Sequence, residues 1–267
     1  MLTELKLQIV RKNGRSIIGD SYFTSPLKLG TPDAERDRLN VVFMMASAGI
    51  LKGDEFVYDI RCGEGTKTLM TDQSYTKIFD TGPEGAKKSQ YIRVERGASL
   101  YYNPCAVIPF AGSSYEGELH VELDRDSEFA CTDILAAGRT GMGEKFAFRS
   151  YRNRICVEMD GIPVWMDHCF LHPAHMELES MFFFDGFTHQ GTFYYYGPEE
   201  KQRLFLEWYQ EKQEQQEKQE KQESGMGRTA GGITEAREGI CLRVLARTAQ
   251  DIEEIFAGAA GALGMEQ

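Results

Sequence analysis

The sequence lacks the features that would assign it to several large classes. Its six cysteines, at positions 62, 105, 131, 156, 169 and 241 of 267 residues, include no Cys-x-x-Cys pair. Thiols scattered in this way through a chain able to bury a sizeable core read as reduced residues rather than a disulfide framework. Positive charge is in deficit. The chain has 30 Lys and Arg against 41 Asp and Glu, for a net −11, and this balance argues against nucleic acid, which rewards a basic face. No apolar run reaches the roughly 18 residues that a membrane helix needs. Met1-Leu2-Thr3-Glu4-Leu5-Lys6 also lacks the basic-then-apolar start of a secretory signal. There is no Gly-Lys-Ser/Thr loop, and the three glycines between Gly138 and Glu144 have no strand–helix context, so nucleotide binding is rejected. No Gly-x-Ser-x-Gly elbow is present. The expectation is a soluble cytoplasmic protein without a nucleotide site of its own.

Period-two alternation dominates what is there. Leu5-Lys6-Leu7-Gln8-Ile9-Val10 alternates and turns at Asn13-Gly14 into Ser16-Ile17-Ile18, a hairpin signature. Four later units each read strand, tight turn, strand, irregular corner, at a period of about 30 residues. They are centred on the turns at Gly63-Glu64-Gly65, Arg96-Gly97, Asp124-Arg125-Asp126 and Asp160-Gly161. Repetition of this kind suits stacked, β-helix-like layers, although a sandwich of hairpins would space its strands similarly; we favour the stack. Residues 1–198 therefore form an all-β domain. Residues 199–267 form a C-terminal helical region packed on it, containing a Glu/Lys/Gln tract at 211–222 with no apolar residue to bury. Residues 225–232 read as a flexible link, Ile240–Leu245 as one more strand, and Thr248 with Asp251 as the cap of a last helix. The run from Met181 to Phe187, continued by Phe193-Tyr194-Tyr195-Tyr196, reads as strands with two apolar faces, either central in the core or docking a partner.

Two constellations could carry chemistry. His168, Cys169, His172 and His175, with Asp167 in front, gather soft ligand types suited to nickel, zinc or copper. If His168 and His172 share a strand face and Pro173 bends His175 toward them, a small metalloenzyme is possible. Alternatively, Asp54, Asp72, Asp133 and Asp167 recur at corners of the repeat. Stacking could align them into a row of weak oxygen sites, or each could be a turn-former.

Five segments occur in an order that resembles the UreD family of urease accessory proteins, called UreH in some lineages. They are Ser25-Pro26-Leu27-Lys28; Gly49 to Asp54; Thr71-Asp72-Gln73-Ser74-Tyr75-Thr76-Lys77; Gly97-Ala98 with Leu100, Pro104 and Ile108-Pro109-Phe110; and Asp133 with Gly138-Arg139, Gly143-Glu144, Phe146 and Phe148. Asp72 stands where the family usually has a second threonine, and the histidine cluster is not part of the family pattern. The resemblance implies a β-helix-like stack with a few C-terminal helices and a role that is not enzymatic. Such a protein would form a complex with the accessory proteins UreF and UreG on apo-urease, with GTP hydrolysis in UreG. Nickel would be conducted toward the urease active site rather than held tightly. On this reading Asp54, Asp133 and Asp167, with His168 beside the last, are the candidate lining of the nickel path.

Overall fold

Alternating strands bury one face each, and here those faces meet as two sheets across a single interior. The computed structural model describes residues 1–30, 33–35, 37–220 and 228–265. The first sheet holds five parallel strands: β1 (Leu2–Lys12), β6 (Glu55–Cys62), β9 (Ala86–Val94), β12 (Ser114–Leu123) and β14 (Ser150–Met159). It is closed at its ends by antiparallel β2 (Arg15–Phe23) and β15 (Ile162–Leu171). The second sheet has a parallel centre of β5 (Arg38–Met45), β7 (Lys67–Asp72), β10 (Ser99–Asn103) and β13 (Glu128–Ala136). Antiparallel β16 (His189–Tyr196), β18 (Ile240–Ala246) and β17 (Thr229–Glu235) extend it on one side, while the short β3 (Leu27–Leu29) and β4 (Asp33–Glu35) pair β5 on the other. Short β8 (Thr76–Ile78) and β11 (Val107–Pro109) pair in parallel on a narrow third side. The chain thus winds from first sheet to second about four times, the solenoid-like stack expected from the repeat.

The corners explain the winding. At Gly63–Thr66, Glu95–Ala98 and Asp124–Ser127 the last residue's N–H donates to the first carbonyl, at 3.2, 2.9 and 3.0 Å. Each turn also bonds the next: Glu64 N–H donates to the Glu95 carboxylate, and Arg96 N–H to that of Asp124. The fourth unit departs from the repeat. Asp160 and Gly161 both have positive φ, 52° and 71°, the two-residue turn whose twist matches an antiparallel hairpin. β15 therefore folds back beside β14 instead of crossing to the second sheet.

The inner faces form one apolar core, in which Trp165 stacks on Tyr194 with ring centroids 4.2 Å apart. The outer face of the second sheet forms another, covered by α1 (Glu199–Glu220) and α2 (Ala249–Ala262). Thr248 caps α2 by accepting from Asp251 N–H, as its spacing foretold. Gly191 of β16 is needed for that docking, since a Cβ there would lie 2.5 Å from Ile252. Phe193, Tyr194, Tyr195 and Tyr196 are buried on both faces of β16, the central-strand alternative. Met181–Phe187 is instead a series of turns, with Phe184 and Phe187 buried while Met181 and Phe182 are exposed.

The region after residue 198 is less helical than its composition suggests, because it supplies β17 and β18 to the second sheet. The expected link at 225–232 becomes β17 from Thr229 onward; Gly231-Gly232 breaks the alternation that would have shown it, and residues 225–227 lie outside the described ones. α1 is held through Phe205 and Tyr209, whereas residues 211–215 are exposed; residues 221 and 222 of the tract lie outside the described ones. Deleting 211–222 should therefore shift stability by less than about 1 kcal/mol, whereas Phe205→Ala should cost about 3–5 kcal/mol. Urea unfolding of the two variants checks both values.

Candidate functional site

Strand register brings together side chains from distant coils. In the first sheet Lys88, Gly117, Asn153 and Cys169 are successive lateral partners, all facing inward. In the second sheet Asp133 pairs with Thr192, and Thr192 with Arg243. Met70, Tyr102 and Cys131 are lateral partners, and Asp72 and Asp133 each lie two residues beyond that row on strands two apart. Asp72, Lys88, Asn153, Asp133, Cys169 and Thr192 face the interior yet keep some solvent contact, while most of their inward neighbours are fully buried. Asp72 and Lys88 border one cavity and Cys169 and Thr192 another, whereas Asn153 and Asp133 line neither. The first, of about 220 Å³, is lined by Tyr58, Asp72, Tyr75, Lys88 and the Ser47–Ile50 segment. The other, of about 450 Å³, is lined by Asp167, Cys169, Gln190, Thr192, Gly231 and Arg243.

Two of the three aspartates expected to line a path thus come together, and one does not. Asp133 accepts a hydrogen bond from Asn153 Nδ2 at 3.0 Å. Asp167 accepts from Thr192 Oγ1 at 3.2 Å and from Arg243 Nη2 at 2.8 Å. Asp54 sits at an outer corner, where its carboxylate accepts from Leu51 N–H at 2.8 Å and from the amino group of Met1 at 3.2 Å. There it acts as a turn-former, the use to which Asp is suited wherever its side chain can bond local backbone.

The histidine cluster also separates. His168 is exposed on β15 and borders the larger cavity with Asp167 and Cys169, whereas His172 and His175 follow the strand with ring centroids 4.4 Å apart. Four residues of extended chain span about 13 Å, so His168 cannot join the other two. Among the described residues these three histidines form no three-ligand group. The metalloenzyme built on them loses its geometric basis.

Burial sets the electrostatics of the row. It raises the carboxyl pKa of Asp72 and lowers the ammonium pKa of Lys88, each offset by the attraction of the other. Burial pushes Asp133 up to about 6, helped by the negative charge of Asp167 and opposed by the Asn153 hydrogen bond. Burial likewise pushes the Cys169 thiol up to about 12 and raises Cys131 well above its ordinary value. These sulfurs stay protonated at neutral pH. Without a metal the row therefore presents carboxyl and amide oxygens beside protonated thiols.

A profile described as "UreD urease accessory protein" matches residues 2–266. The chain belongs to the UreD family. It is 34% identical over 182 residues to a urease accessory protein UreD of Acetivibrio thermocellus, covering 67% of this chain and 70% of that one. A UreH of Helicobacter hepaticus is 34% identical over 186 residues, covering 69% and 74%, and one of Helicobacter pylori strain P12 is 32% identical over 190 residues, covering 70% and 72%.

The segments that resembled the UreD family divide by role. Gly49-Ile50, Asp72 and Ser74 to Lys77 form walls of the smaller cavity. Gly49 lets two chains pass at its mouth, because a Cβ there would meet the Lys77 carbonyl at 2.5 Å. Gly138-Arg139 and Glu144 tie down the corner after β13: Arg139 pairs with Glu144 and lies over the Phe110 ring, 4.2 Å from its centroid. Lys88, Asn153 and Thr192 were not expected at the site, and Asp72 was noted only as a corner. No local motif marks them, and they become neighbours only through register.

Asp133 yields a pH-dependent test. Its folded pKa lies above its ordinary 3.8, so the folded state holds the proton more tightly than the unfolded chain does. Its contribution is thus lost as pH rises from about 4 to about 6. Asp133→Asn, which keeps a partner for Asn153, should stabilise the protein by about 1–2 kcal/mol at pH 8. The gain should vanish below pH 4, as read by denaturant unfolding across that range.

Proposed function

We propose that this chain is a scaffold for urease metallocentre assembly that conducts nickel through its interior, in a complex with UreF and UreG on apo-urease. The observation that supports this most is the inward-facing set Asp72, Asp133 and Asp167, with Asp72 lining one cavity, Asp167 the other, and Asp133 between them on the second sheet. Nickel is cargo here. A cation crossing a core needs ligands at intervals, and carboxylate and water oxygens bind it weakly enough to let it leave. Asp133, poised near neutrality, would give up its proton when a cation arrives and take it back afterwards. The accessory names of the relatives support placing this chemistry on the path to urease. GTP hydrolysis falls to UreG, in keeping with the missing phosphate loop.

Co-expression with the urease subunits and the other accessory proteins tests the proposal. Urease made without this chain should contain little nickel and show little activity. Urease made with Asp133→Ala should lose nickel about tenfold or more while the complex with UreF still forms. Equal loading without the chain would overturn the scaffold role. Equal loading with the Asp72→Ala, Asp133→Ala double variant would overturn the conduit alone.

A further inference from the structure

The outer face of the first sheet carries a second group of ligands, remote from the interior row. Strand alternation sends Leu119, Val121, Ile155 and Val157 inward, and His120, Cys156 and Glu158 outward. His120 and Cys156 are lateral partners on β12 and β14, and Glu158 follows Cys156 on the same face. One ligand atom from each residue lies within 4.8 Å of the other two, and His120 Nε2 is 3.0 Å from Glu158 Oε1. All three are partly exposed, with the His120 and Glu158 side chains at 33% and 22%.

The surroundings hold these side chains in place. The His120 ring stacks on Tyr91, with centroids 5.5 Å apart and planes 10° from parallel. Tyr91 OH donates to Glu122, which pairs with Arg93. On the other side Met166, the cross-strand partner of Cys156, is 62% exposed and adds a thioether to the rim. Strand positions make the group rigid, because the ligand spacing is set by the ladder rather than by a loop.

We infer that His120, Cys156 and Glu158 form a surface site for a borderline divalent cation of the zinc, cobalt and nickel class. Imidazole, thiolate and carboxylate are the ligand types this class prefers. Tetrahedral bonds of about 2.0–2.3 Å place ligand atoms roughly 3.3–3.8 Å apart, so small side-chain movements from the present spacing close the site. Three protein ligands leave a fourth position open to water, to Met166 or to a donor from another molecule. Binding would replace the His120–Glu158 contact and release the Cys156 proton to solvent. The inference does not rest on the conduit, since these residues face away from the interior.

Cobalt titration of the full chain under reducing conditions tests it, because a cobalt–thiolate bond gives a charge-transfer band in the near ultraviolet. The expected result is that band rising to saturation at one equivalent of cobalt, lost in Cys156→Ser and displaced by zinc. His120→Ala and Glu158→Gln should each weaken binding at least tenfold, and Asp133→Asn should leave it unchanged. Thermal unfolding confirms that each variant folds, as expected for partly exposed positions. Absence of the band, its persistence in Cys156→Ser, or unchanged affinity in both the His120 and Glu158 variants would overturn the site and leave an ordinary surface ion pair.

Discussion

Everything in this molecule depends on the in-register stacking of parallel coils. Side chains on a strand alternate between faces, so a slip of one residue in any coil would send its inward set to solvent. The bonded corners at Gly63–Thr66, Glu95–Ala98 and Asp124–Ser127 prevent that slip by tying each turn to the next as well as to itself. The same register that places Ile60, Ile92, Val121 and Val157 in the core fixes where Lys88, Asn153 and Asp133 must face. Core and polar row share one constraint.

That sharing explains how an apolar stack tolerates charge inside it. Buried carboxylates are costly unless bonded or hydrated. Here each has a partner from another coil: Asn153 for Asp133, Thr192 and Arg243 for Asp167, and the charge of Lys88 for Asp72. Asp72 and Asp167 also border the two cavities. What remains is a raised carboxyl pKa at Asp133, a cost to the fold that makes sense if the group must exchange a proton for a cation.

Much of the architecture was legible because it is local. Alternation located the main strands, Asn13-Gly14 the first hairpin, and Thr248-Asp251 the last helix. The interior row was legible only in part. Asp133 and Asp167 stood out as expected corner carboxylates but lie within β13 and β15. Asp54, chemically identical and at a true corner, spends its oxygens on Leu51 and the Met1 amino group. Proximity in sequence misled at the histidines, since an extended chain carries His168 away from His172 as fast as geometry allows. Lys88 and Asn153 carried no signal at all. Each is one polar residue on the inner face of an ordinary strand, and only the fold reveals that they face a common interior.

The central claim is that the row is a hydrated path able to hold a divalent cation. A high-resolution crystal structure of the protein soaked in nickel, recorded at the nickel absorption edge, measures this directly. The account predicts ordered water running from the cavity at Asp72 and Lys88 to the one at Asp167 and Arg243, with an anomalous peak within ligand distance of Asp133. A dry interior, with nickel bound at the surface alone, would contradict it.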